Sequence, residues 1–139
     1  LFNVYGRGQN PEYAGVITKF LERVSRGEPP IIYGDGEQTR DFVYVGDVVD
    51  AFIRALTSSL RGAYVFNIGT GNAVTINQLA RMIIKLAGLN VEPIHADPRP
   101  GDIRHSYADI SRTKRVLGWQ PKISLEEGLK RLVETLRSG

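Results

Sequence analysis

The sequence predicts an α/β fold with a largely parallel sheet. Three observations carry that expectation. Short runs of β-branched and aromatic residues alternate with stretches whose apolar residues recur at helical spacing. Glycines and prolines fall between the two kinds of segment. Two of the amphipathic stretches are preceded by Thr or Ser with Gln or Glu three residues on, the pattern of a capping box.

The opening Leu1-Phe2-Asn3-Val4-Tyr5, ended by Gly6, reads as a buried strand. No initiator methionine or turn precedes it, so the chain is expected to continue a fold begun upstream. From Val16 to Arg26, the residues Val16, Ile17, Phe20, Leu21 and Val24 lie on one helical face, and Gly27 stops the helix. Pro29-Pro30 forces an extended path into a strand Ile31-Ile32-Tyr33, closed by Gly34-Asp35-Gly36. A strand from Phe42 to Val45 leads to Asp47, read as the N-cap of a helix with Val48, Val49, Phe52, Ile53 and Leu56 on its apolar face. Arg61-Gly62 ends that segment, and Tyr64 to Ile68 reads as a further strand. After Gly69-Thr70-Gly71, the pair Thr75 and Gln78 opens a helix carrying Ile76, Leu79, Ile83 and Ile84, terminated by Gly88. Pro93 to Tyr107 holds three prolines and is expected to be a surface loop. A short helix ends at Gly118. Ser124 and Glu127 open the last helix, with Leu125, Leu129, Leu132, Val133 and Leu136 on its face.

A chain of 139 residues suits one core. Its 42% hydrophobic, 24% charged and 9% aromatic residues exclude collagen-like, fibrous and wholly disordered classes. There is no run of about 18 apolar residues and no basic-then-apolar leader, so a membrane span and a signal peptide are not expected. Without cysteine there is no disulfide, thiolate metal site or cysteine nucleophile, which points to the cytoplasm. The net charge of +3 is spread over interleaved cations and anions, a solvated mixed surface rather than a nucleic-acid footprint.

Gly69-Thr70-Gly71 stands between a strand and a helix, where a phosphate-cradling turn would be. A dinucleotide fingerprint needs a third glycine where Val74 stands, so a tight structural turn is the better reading. His95 and His105 lack the carboxylate spacing of a metal site, and Glu126-Glu127 suits the positive end of a helix. Trp119 reads as a packing residue. Arg40 and Arg99 are different, because both lie in turns or loops. Two guanidiniums converging on one point would clamp a diphosphate bidentately, and ordinary ion pairing also fits.

Phe2-Asn3-Val4-Tyr5-Gly6, Gly34-Asp35-Gly36 with Thr39-Arg40-Asp41-Phe42-Val43-Tyr44-Val45, Phe66 to Gly71, Arg99-Pro100-Gly101-Asp102-Ile103-Arg104 and Leu117 to Pro121 form an ordered series. In order and spacing they resemble the nucleotide-sugar epimerases and dehydratases of the extended short-chain dehydrogenase family, and most closely its UDP-glucose 4-epimerase group. The family has an N-terminal glycine-rich dinucleotide site and a tyrosine four residues before a lysine. Neither is present here. The resemblance therefore implies the C-terminal, substrate-binding half of such an enzyme, whose strands complete a doubly wound sheet begun in an absent N-terminal half. No catalytic residue is expected in this chain, and the isolated chain is expected to be inactive.

For the intact enzyme the resemblance implies a homodimer that binds NAD mainly through the N-terminal half and inverts C4 of a UDP-sugar by hydride transfer and return. Matched residue by residue, Asn3, Arg40 and Arg99 contact the diphosphate. Val16, Ile17, Ile31 and Tyr33 line the uridine pocket, Asp102 reaches the ribose hydroxyls, and Phe2 lies beside the nicotinamide. Ser106 falls at the position facing the sugar's C2 substituent, where a small residue implies room for an N-acetyl group. The chain departs from the family pattern at Arg7-Gly8, where proline-arginine is usual, and at Gly46-Asp47, where two aspartates are common. Two other readings fit: a 4,6-dehydratase or UDP-glucuronate-processing relative, and a non-catalytic nucleotide-sugar-binding or interaction module.

Overall fold

The computed structural model describes residues 1–9 and 15–138. Its elements run β1 (Asn3–Tyr5), α1 (Val16–Ser25), β2 (Ile31–Tyr33), β3 (Thr39–Arg40), β4 (Phe42–Tyr44), α2 (Val45–Thr57), β5 (Val74–Thr75), α3 (Ile76–Ala87), β6 (Ile94–Ala96), a π-helical turn at Thr113–Leu117, and α4 (Leu125–Ser138). The α/β class holds, and among the described residues the sheet is present in three two-stranded pieces. Strands β1 and β4 pair in parallel, as do β2 and β6, while β3 and β5 form a short antiparallel ladder.

Strand alternation divides the interior into two cores. Phe42 faces a cluster built from Tyr5, the inner faces of α1, α3 and α4, and Ile32. Its neighbour Val43 faces the other way, into a cluster of Val48, Ala51, Ile68, Ala108, Ile110 and Trp119. Helix α3 packs against both α1 and α4, which is why Leu79, Ala80 and Ile83 are fully buried. Its start is the expected capping box. Thr75 Oγ1 accepts from the Gln78 N–H at 3.0 Å, and Gln78 Oε1 accepts from the Thr75 N–H at 2.9 Å. Gly88 ends it in the left-handed conformation. Trp119 is sealed in the second core, donating its indole N–H to the Asp47 carbonyl at 2.9 Å.

Several expectations are corrected. The Pro93–Tyr107 segment contains a strand, β6, because Ile94 to Ala96 find the open edge of β2. Tyr64 to Ile68 forms no ladder; the Ile68 carbonyl accepts from Phe2 N–H, and Tyr64 and Val65 stay exposed. The strand predicted from Phe42 to Val45 stops at Tyr44, and Val45 opens α2. Asp47 is therefore not the N-cap but a first-turn residue, 4% exposed, whose Oδ2 accepts the Ile123 N–H at 3.0 Å. The predicted apolar face of α2 is inverted for most of its members. Val48 is buried, whereas Val49, Phe52, Ile53 and Leu56 are 51–85% exposed. At α4, Ser124 caps the Glu127 N–H as expected, but the Glu127 carboxylate turns to Arg131.

The Gly69-Thr70-Gly71 turn is an anion cradle, and Asp41 fills it. The Asp41 side chain is wholly buried and accepts from Thr70 N–H, Thr70 Oγ1, Gly71 N–H and the more distant Ala108 N–H, at 2.5–3.1 Å. Gly69 is required by this contact. A Cβ there would stand 2.9 Å from Asp41 Oδ2 and 2.7 Å from the Ala108 methyl. Asp41→Asn keeps the shape but turns an NH2 group on a ring of donors. Urea denaturation should show a loss of about 2–3 kcal/mol, the scale of an unmade hydrogen bond to a charged group. An unchanged midpoint would mean that the carboxylate is not what holds the turn.

Candidate functional site

A cavity of about 470 Å³ opens between the start of α1, strands β2 and β3, Asn3 of β1 and the irregular arm after β6. Its cations are Lys19, Arg23, Arg26, Arg40 and Arg99, against the carboxylates of Glu22 and Asp102. The basic excess suits an anion of more than one charge. Arg23 is committed locally, donating Nε–H to the Pro29 carbonyl at 2.6 Å and pairing with Glu28 at 3.3 Å.

The two arginines are held differently, and Arg40, expected in a turn or loop, lies on a strand because Thr39 and Arg40 pair with Thr75 and Val74. Arg40 sits on β3 and donates Nη1–H to the Thr39 carbonyl at 2.6 Å and Nη2–H to Asp102 Oδ1 at 2.7 Å. Arg99 comes from the arm and lays its guanidinium 4.0 Å over the Tyr33 ring, a cation–π contact. The arm reaches the cavity because its backbone is tied at several points. Gly34 N–H donates to the Ala96 carbonyl at 2.9 Å, Thr39 N–H to Arg104 at 2.8 Å, and Ser106 N–H to Thr39 at 3.1 Å.

Asn3, Val16, Ile31, Tyr33, Arg40, Arg99 and Asp102, separated by up to a hundred residues in sequence, thus come together in one cavity. Three candidates lie elsewhere. Ile17 is 3% exposed in the first core, as an apolar residue on the inner face of α1 would be in any helix of this pattern. Ser106 is half-buried outside the cavity, tied by its backbone to Thr39. Phe2 packs on the second core beside Val4. The sequence reading missed several wall residues, among them Lys19, Glu22, Arg23, Arg26 and Gln38. Gln38, 8% exposed, lines the cavity. Its place two residues before Arg40, on the same side of an extended segment, is the signal that could have found it.

Among the described residues the cradle most like a dinucleotide site is already closed by Asp41, so these residues do not fit the pyrophosphate of NAD. No described cluster of His, Asp and Glu could hold a metal ion, and no described helix is long and apolar enough to cross a membrane.

A family model described as GDP-mannose 4,6 dehydratase matches residues 1–132. The chain belongs to this family. Within the GDP-mannose 4,6 dehydratase family it is similar to the UDP-glucose 4-epimerase of Mycolicibacterium smegmatis, 44% identical over 137 residues, covering 98% of this chain and 44% of that protein. It is also similar to the crystal structure of UDP-glucose 4-epimerase with UDP-glucose from Thermotoga maritima. The TM-score is 0.91 and the identity 49%, covering 99% of this chain and 44% of the other. The Thermus thermophilus UDP-glucose 4-epimerase in complex with NAD gives a TM-score of 0.86 at 38% identity, covering 99% of this chain and 45% of that one. The chain therefore spans less than half the length of the relatives it matches.

In this family member a second cavity of about 300 Å³ shares Tyr33, Gln38, Arg99 and Asp102 with the first, and Asp35 and Arg104 stand on its wall. Their bidentate pair, at 2.8 and 3.0 Å, holds the Asp35 carboxyl down at about 2, chiefly through the Arg104 hydrogen bonds. A carboxyl depressed by folding lends its stability above the ordinary carboxylate range and loses it as pH falls through about 2. Arg104→Ala should move the Asp35 titration up toward the ordinary range in a carboxyl-carbon NMR titration. An unmoved Asp35 would assign the shift to the local turn instead.

Proposed function

We propose that this chain is the C-terminal, substrate-binding part of an NAD-dependent UDP-glucose/UDP-galactose 4-epimerase. The observation that carries the reading is the meeting of Arg40 and Arg99 in one basic cavity beside Asn3 and Tyr33. Two guanidiniums, one from β3 and one from the arm, offer the planar, bidentate donors that phosphate oxygens accept. Asn3 adds a neutral amide donor to the diphosphate, and the aliphatic side chains of Val16 and Ile31 give the uracil an apolar wall. Tyr33 covers the base once Arg99 has moved onto phosphate. Asp102 serves the ribose hydroxyls in exchange for its contact with Arg40. Ile17 supports this wall from the core rather than touching the ligand. Ser106 acts at the sugar end only through a shift of its loop, and acceptance of N-acetylated sugars rests on that shift.

What this chain contributes to catalysis is position. It holds the diphosphate and base so that the sugar's C4 is presented to chemistry located on the rest of the polypeptide. NAD, which supplies hydride acceptance and return, is bound by that remainder, as is the catalytic base, and the intact enzyme is a homodimer. The reading places the same remainder against the outward face of α2, where Val49, Phe52, Ile53 and Leu56 form one apolar stripe at helical spacing.

In the complete protein, Arg40→Ala and Arg99→Ala should each weaken UDP binding by about 1.5–3 kcal/mol in calorimetry, with lysine restoring only part. Unchanged affinity in both would end the diphosphate assignment. The 139-residue chain alone should self-associate in light scattering through the α2 stripe, and Phe52→Lys with Leu56→Lys should shift it to monomer. A wild-type chain that stays monomeric on concentration would contradict the proposed contact.

A further inference from the structure

Gln38 is the most buried polar side chain facing the cavity, and nothing in the family reading uses it. Its main chain is fixed, since its carbonyl accepts the Ile76 N–H at the start of α3 at 3.1 Å. Its side-chain Nε2 lies 3.2 Å from the Tyr33 carbonyl and 3.4 Å from Asp102 Oδ2. Both partners are pure acceptors, a carbonyl and a carboxylate, so chemistry alone demands that the NH2 end of the amide face them. One side chain thereby joins the strand that carries Tyr33 to the arm that carries Asp102.

Asp102 is the exposed member of the chain of contacts, on an irregular arm, with a side chain 41% accessible. Its two oxygens are divided: Oδ2 takes the Gln38 amide and Oδ1 takes Arg40 Nη2. The second anchor of Arg40 is the Thr39 carbonyl on Nη1. Two acceptors on two nitrogens set the plane of a guanidinium, and its remaining N–H donors are then oriented before any ligand arrives. Take away the amide and Asp102 is tied to the cavity wall only through Arg40 itself, so the carboxylate can swing with the guanidinium and no longer fixes its plane.

We infer that Gln38 is a positioning residue that sets the Arg40 guanidinium through Asp102, and so prepares the site for the phosphates of a nucleoside diphosphate. The inference deepens the nucleotide-sugar reading and rests on it for the identity of the ligand. Gln38 also touches Tyr33 and Asp102, so any effect on base or ribose is shared by UDP and uridine, whereas the effect through Arg40 belongs to UDP alone.

The test uses the complete protein as wild type, Gln38→Leu, Arg40→Ala and the double variant, with UDP and uridine as probes in calorimetry. Gln38→Leu should raise the UDP Kd about 5- to 10-fold, the weight of one hydrogen bond. Uridine affinity should fall clearly less than UDP affinity, because only UDP has phosphates for Arg40. In the Arg40→Ala background the same substitution should cost UDP no more than it costs uridine. An equal loss in that background, or an equal loss for uridine, would overturn the inference. Gln38→Glu, which keeps the length but sets a carboxylate against Asp102, should reproduce the Leu phenotype, so a folding defect peculiar to Leu is recognised. Arginine-selective 15N NMR without ligand decides the question independently. Rotation about the Arg40 Cζ–Nη bonds should be hindered in wild type and freed in Gln38→Leu, and unchanged rotation would overturn the inference. No UDP binding by wild type, together with this release in Gln38→Leu, would sink the nucleotide-sugar reading and leave Gln38's hold on Arg40 standing.

Discussion

The fold and the site both hang on one buried carboxylate. Asp41 follows directly on Arg40 and precedes β4, so whatever fixes Asp41 fixes the strand that carries the basic residue. Taking an ionised carboxylate out of water costs several kcal/mol unless its lone pairs are met. Asp41 meets that cost with backbone N–H groups from two distant segments and one hydroxyl. Those segments are the turn at Gly69-Thr70-Gly71 and the far end of the arm at Ala108. The same interaction that closes the second core therefore anchors the return of the arm bearing Arg99 and Asp102. It also explains why a turn shaped to bind an anion is unavailable to a ligand: the chain's own anion is already there.

On this frame the cavity carries charges that are held but exchangeable. The Arg40–Asp102 pair is partly open to solvent, and an ion pair of that kind is worth about 0–1 kcal/mol. The Arg99–Tyr33 contact is of similar weight, about 0.5–1 kcal/mol where water reaches it. Charge-assisted hydrogen bonds to a ligand are worth about 1.5–3 kcal/mol. The order of these magnitudes favours release of both internal partners once a multiply charged anion enters. Until then the Asp102 carboxylate offsets part of the basic excess of a cavity of about 470 Å³. Internal partners of this strength define where the guanidiniums stand and, on the proposed reading, compete only weakly with a ligand's phosphates.

How far the sequence foretold this depends on whether the deciding interaction is local. The capping box of Thr75 and Gln78, the stop at Gly88 and the packing face of α3 involve residues within one helix, and all are found where the spacing puts them. Strand β6 was not legible, because three residues in a proline-rich stretch become a strand only when the edge of β2 is offered to them. Tyr64 to Ile68 failed for the converse reason, with strand-forming residues but a single backbone hydrogen bond to Phe2. The α2 face misled because its apolar residues surround more of the helix than one core can cover. Only Val48 and Ala51, with Asp47, turn inward. In the cavity, Arg99 was legible as a loop arginine, while Arg40 was legible as an arginine beside a glycine-rich turn although it lies on β3. Gln38 and Asp41 were not, since their meaning lies in partners roughly thirty to seventy positions away.

The cavity's long sequence separations are compatible with a defined geometry because the joins are made by backbone rather than side chains. Thr39 is the centre of this arrangement. Its N–H and C=O bond the arm on either side of His105, whose ring also meets the Thr39 hydroxyl at 3.1 Å. A second tie lies at the base of the arm, where Gly34 takes the Ala96 carbonyl and His95 meets the Gly34 carbonyl at 2.8 Å. Asp41 closes the far end at Ala108. These three points hold the backbone of the arm beside the cavity, whereas the side chains themselves can turn. A backbone pinned at intervals with charged side chains free to change partners is the arrangement a binding site needs, because the entropy of ordering the loop is met by folding and only the side chains remain to be ordered by the ligand.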